Sequence, residues 1–115
     1  MTTPEIASLY FDLSNKSDFA NIAKLFTNST TYSSQNTGIY LGANAIIEMQ
    51  KQFHRQFSVL NWKVNSIEEV KSGVVCLDYT FTGTKLDGGQ IESSGIEYVI
   101  VQGGKILHIE IKNKP

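Results

Sequence analysis

The sequence predicts an α+β domain in which N-terminal helices cover one face of an antiparallel sheet. Three observations predict it. Apolar residues recur at helical spacing through the first half of the chain. After Phe57 the period falls from 3.6 to 2. Glycine-bearing turns at Ser72-Gly73, Asp87-Gly88-Gly89 and Gly103-Gly104 then join the later strands, and turns that short force antiparallel pairing. Helices followed by a meander argue α+β rather than alternating α/β.

The elements follow in order. Pro4 suits a first helical turn with Thr3 as its cap, and Ile6, Leu9, Tyr10 and Leu13 share one face. Ser14-Asn15-Lys16-Ser17 breaks the pattern. Ser17 or Asp18 caps a second short helix with Phe19, Ile22, Ala23 and Phe26 on one side. Thr31 to Ser34 and Ile39-Tyr40-Leu41 are short extended pieces, the latter bracketed by Gly38 and Gly42. A third helix is predicted from Ala43 to about Phe57, with Ile46, Met49/Gln50, Phe53 and Phe57 as its apolar stripe. Leu60, Trp62 and Val64 then alternate with polar residues, as do Val75, Leu77, Tyr79 and Phe81. Glu92 to Val101 and Lys105 to Lys112 are the last strands, followed by a solvated tail to Pro115.

The chain has 115 residues, room for one domain spanning 1–115 and not for two. With 41% hydrophobic and 18% charged residues it has the material for a core and is unlike a disordered chain. The net charge is -1 and the lysines are scattered, which argues against nucleic acid as a partner. No cluster of Cys, His and carboxylates has metal-ligand spacing. The lone Cys76 lies in an apolar strand and reads as a small buried hydrophobe, not a reactive thiol. Neither a signal-peptide pattern nor a membrane span is visible, so the expectation is a soluble cytoplasmic protein.

Four stretches, in this order, resemble a known family. They are Tyr10 to Phe26 (YFDLSNKSDFANIAKLF), Tyr40 to Ile46 (YLGANAI), Asp78 to Lys85 (DYTFTGTK) and Gly95 to Ile106 (GIEYVIVQGGKI). Together they resemble the nuclear-transport-factor-2-like superfamily, in its SnoaL-like group, over about Ile6 to Ile111. The resemblance implies a cystatin-like roll: three N-terminal helices on a strongly curved, mixed or antiparallel sheet shaped as a cone, with a cavity at its wide end. It also implies homodimers paired through outer sheet faces. The strand Ile96 to Val101 is apolar on both faces, Tyr98 and Ile100 on one and Val99 and Val101 on the other, which fits a cover on each side.

The superfamily includes ketosteroid isomerase, whose chemistry uses a carboxylate base, a tyrosine donor and a protonated acid donor. By resemblance, the tyrosine falls on Tyr10, the acid on Glu97 and the base on Ser34, which cannot abstract a proton as a carboxylate does. Tyr10 and Glu97 would form a pair that stabilises an enolate-like oxygen. The histidine of the group's polyketide cyclases falls on Lys85, and their acidic partner is not reproduced around His108. The only arginine, Arg55, lacks the pattern of the epoxide-hydrolase members.

Each residue also has a plainer reading. Tyr10 lies on an apolar stripe and serves equally as a core tyrosine. Glu97 shares a face with Val99 and Val101, so it either enters the pocket, makes a structural hydrogen bond or sits at the surface in another register. His54 complements a helix C-terminus or acts as the remaining acid/base candidate. His108 reads as structural or interfacial, facing with Ile106 and Glu110 away from Leu107 and Ile109. Tyr32 and Tyr40 fall near the cavity mouth, and Phe53, Phe57, Trp62, Tyr79 and Val99 supply wall. The function expected is a pocket for a small apolar molecule, as an isomerase, lyase or cyclase without cofactor, or else a non-enzymatic module that associates through its outer sheet face.

Overall fold

Thr2, not Thr3, starts the chain's first helix. In this computed structural model, which describes residues 1–114, α1 spans Thr3–Asn15. The Thr2 Oγ1 accepts from the Glu5 amide at 3.2 Å while Glu5 Oε1 accepts from the Thr2 amide at 2.8 Å. That reciprocal box needs an acid three residues after the cap, and Glu5 places the cap at Thr2. Asp18 caps α2 (Phe19–Ala23) through its bond from the Asn21 amide. Ser17, the other cap candidate, has a left-handed backbone instead, at φ 53°.

α3 runs Ala43–His54 and ends short of Phe57. The Gln56 amide closes back on the Phe53 carbonyl at 3.2 Å, tightening the last turn. Phe57 then opens the sheet opposite Lys85. The Phe53 and Phe57 rings still pack together, 5.2 Å between centroids, so the apolar stripe continues across the boundary.

The strands are β1 (Thr31–Ser34), β2 (Gly38–Leu41), β3 (Phe57–Lys71), β4 (Val74–Lys85), β5 (Gln90–Gln102) and β6 (Lys105–Asn113). They form one sheet in the order β2-β1-β6-β5-β4-β3. All neighbours are antiparallel except β1 and β6, which are parallel. The sheet is therefore mixed. Three register shifts along β3 bend that strand. Three helices on a six-stranded sheet complete the cone.

The inner face of the sheet carries Val75, Leu77, Val99, Ile106 and Ile109, all fully buried, against Ile46 of α3 and Ile22 of α2. Each such side chain contributes roughly 1.5–3 kcal/mol relative to exposure. One detail departs from strict alternation. A bulge at Ile100/Val101 pairs Val101 with Ile106 and Ile100 with His108, leaving Leu107 as the extra residue. Ile106 and Ile109 therefore both face inward, and Leu107 is exposed, which corrects the faces assigned from period two. Cys76 is half-buried on the outer face, because the inward positions of β4 are Val75, Leu77 and Tyr79.

One side chain ties the helices to the sheet as a backbone would. Asn15 at the end of α1 donates to the Trp62 carbonyl at 2.9 Å and accepts from the Trp62 amide at 2.6 Å. This satisfies both peptide groups of an exposed-edge residue and fixes Trp62 over the interior. Pro115, read as part of the solvated tail, lies outside the described residues. Among the described residues no helix is long and apolar enough to cross a membrane.

Candidate functional site

A cavity of about 90 Å³ lies between the helices and the inner face of the sheet. Helical spacing on α1 aims Tyr10, Phe11 and Ser14 at it. On α3, Met49 with Phe53 and Gln50 with His54 are four residues apart and face the same way. Alternation in the strands adds Tyr32 and Ser34, Trp62, Tyr79 and Phe81, and Glu97. The exposed residues Asn36, Thr37 and Ser93 form its rim.

Glu97 is the central polar group. It is 4% exposed, faces Leu77 and Ile111 across the neighbouring strands, and its Oε2 has no hydrogen-bond partner among the described residues. Burial pushes its carboxyl up to about 8, so it is protonated at neutral pH and can donate. Tyr10, Tyr32 and Tyr79 surround it. Burial raises all three hydroxyls, Tyr79 to about 12, and the nearby Glu97 raises each further. The Tyr79 ring covers Gly95, its partner across the strands, where a side chain would collide with it.

Tyr10 and Glu97 share the cavity, but no hydrogen bond joins them among the described residues. The Tyr10 oxygen accepts instead from Gln50 Nε2 at 2.7 Å. Its own hydrogen is thereby left for a third group. Two donors can meet on one ligand oxygen without bonding each other.

His54 is half-buried among aromatic rings, with centroids at 4.8 Å from Phe19 and 5.3 Å from Trp62. Burial lowers its imidazole to about 4, so it is neutral at pH 7. Nδ1 lies 2.8 Å from the Ser17 hydroxyl, which leaves Nε2 for any proton transfer. Ser34 Oγ accepts from the Asn36 amide at 3.1 Å and shapes the turn after β1.

Two residues assigned to the wall, Phe57 and Val99, and one placed near its mouth, Tyr40, do not line the cavity. Phe57 packs on Phe81 and over Gly83, because it belongs to β3 and not to α3. Tyr40 is half-buried, with its hydroxyl donating to the Thr37 carbonyl at 3.0 Å. Val99 is fully buried in the core, one inward position beyond Glu97. Lys85 and Arg55 are exposed and lie off the wall. His108 is on the outer face, with Thr31 Oγ1 2.7 Å from Nδ1 and Glu110 Oε1 3.1 Å from Nε2. Among the described residues no group of three His, Cys, Asp or Glu side chains could hold a metal ion.

Phe11, Ser14, Met49, Phe81 and Ile111 also line the wall without having been assigned to it, as does Gln50. For Gln50 the available signal was a polar side chain on the apolar stripe of α3, one turn before His54.

A helix-covered cone with an internal cavity is the architecture of NTF2-like proteins. An NTF2-like protein of unknown function from Exiguobacterium sp. 255-15 superposes with a TM-score of 0.84 at 16% identity, over 95% of this chain and 98% of that one. A protein with a ketosteroid isomerase-like fold from Catenulispora acidiphila DSM 44928, solved with trimethylamine, gives 0.87 at 13% identity, over 99% and 88%. A cystatin-fold protein from Novosphingobium aromaticivorans gives 0.86 at 13% identity, over 98% and 99%. No protein of curated function matches the sequence. The SnoaL-like domain profile matches residues 7–109, and the chain belongs to that family.

Proposed function

We propose that the domain binds a small, largely apolar and uncharged molecule, oriented by Tyr10 and Glu97. The observation that carries this is the Glu97 carboxyl, buried in a cavity wall with Oε2 unpartnered. A buried polar atom in that state is costly unless a ligand or water satisfies it. The cavity is far below the roughly 300–1,000 Å³ that holds drug-sized ligands, so the occupant has few non-hydrogen atoms or extends past the rim.

The same two donors suit a developing enolate oxygen, as in a cofactor-free isomerase, lyase or cyclase. His54 Nε2 is the nearest thing to a base, and its lowered basicity makes it a weak one. Cyclopentanone is the discriminating probe, followed by NMR in D₂O. Binding with faster exchange of its α-protons, slowed in Tyr10→Phe and Glu97→Gln, supports the catalytic form. Binding without exchange supports a ligand-binding module, and no binding ends the proposal.

The outer sheet face favours self-association. Cys76, Ile96, Tyr98 and Ile100 form a half-buried, mostly apolar patch across β4 and β5. Sedimentation should find a dimer that Tyr98→Lys dissociates, and a monomeric wild type would exclude it.

A further inference from the structure

Gln50 is a polar residue that enolate stabilisation does not require. It is 7% exposed, on the cavity wall, and its amide nitrogen is committed to Tyr10. Its Oε1 has no partner among the described residues. Gln50 Oε1 and Glu97 Oε2 are the two buried side-chain polar atoms found without one among the described residues, and both residues line this cavity. Two orphans in one wall are what a polar ligand edge would satisfy.

Their chemistry says which edge. An amide oxygen can only accept. The Tyr10 oxygen already accepts from Gln50, so its hydroxyl is a donor, and a protonated Glu97 is another. Gln50 Oε1 thus adds an acceptor beside the donors of Tyr10 and Glu97. No lysine or arginine lies on the wall, so nothing there would compensate an anion.

We infer that Gln50 determines specificity, and that the ligand is a small neutral compound carrying a hydrogen-bond donor next to an acceptor, as in the N–H and C=O of a lactam. The donor meets Gln50 Oε1 and the acceptor meets Tyr10 and Glu97. This rests on the cavity being a ligand site.

The test uses two isomers of equal composition, 5-methyl-2-pyrrolidinone and N-methyl-2-pyrrolidinone, of which only the first has an N–H. Each is titrated into the ¹⁵N-labelled protein and followed by NMR, with cyclopentanone as a third ligand. The N–H isomer should bind about tenfold more tightly to the wild type, the difference one satisfied buried acceptor makes. In Gln50→Met the preference should shrink to about twofold or less, because the acceptor is gone. Equal binding of the isomers to the wild type overturns the inference, whatever the variant does. So does binding of cyclopentanone with neither lactam, and in both cases the ligand site itself survives. If none of the three binds, the reading of the cavity fails with it.

Discussion

Glu97→Gln should abolish most of the loss of stability that the wild-type protein shows as pH rises from mildly acidic through about 8. The folded carboxyl titrates near 8, against an ordinary value of 4.5, because burial disfavours its charge. The folded state therefore keeps a proton that the unfolded chain releases. The contribution is whole below 4.5 and is lost as pH rises through about 8. For a domain of this size the loss should lower Tm on the order of 10 °C. The acid side has the opposite sign. His54 is held near 4 by burial, so its contribution is present above 6.5 and lost as pH falls through 4. Thermal melts across this range should show greatest stability at mildly acidic to neutral pH. Parallel profiles for wild type and Glu97→Gln would mean the carboxyl is not held neutral.

Gly95→Ala should cost about 1–3 kcal/mol, more than most surface-strand substitutions, and should weaken ligand binding at the same time. A Cβ there would lie 2.5 Å from the Tyr79 hydroxyl oxygen and 2.7 Å from Cζ. Tyr79 is 6% exposed and packed on Phe11, so its ring has the cavity as its way out. Replacing Tyr79 as well decides the cause. In a Tyr79→Ala background the Gly95→Ala penalty should nearly vanish, giving a coupling of about 1–2 kcal/mol by urea denaturation. Additive penalties would place the strain elsewhere in β5.

Glu97 and Gln50 were legible in the sequence to different degrees. Alternation in β5 put Glu97 on the inward face beside Val99, and that face is buried as expected. Nothing local said that its carboxyl would lack a partner there, because that depends on what α1 and α3 bring opposite. Gln50 was lost among the apolar residues of its stripe for the same reason. Phe57 was misassigned because its spacing from Phe53 continues a helical pattern, and two elements can share one aromatic cluster. The faces around Leu107 were misread because a bulge leaves no mark in hydrophobic pattern.

Periodicity, turn glycines and caps are local properties, and they determined three helices, an antiparallel meander and the inward faces of β4 and β5. Whether Glu97 is neutral, whether His54 can take a proton and where Gln50 points were decided only by the folded packing. Those depend on burial and partners supplied by residues far away in sequence, such as Gln50 with Tyr10 and His54 with Ser17.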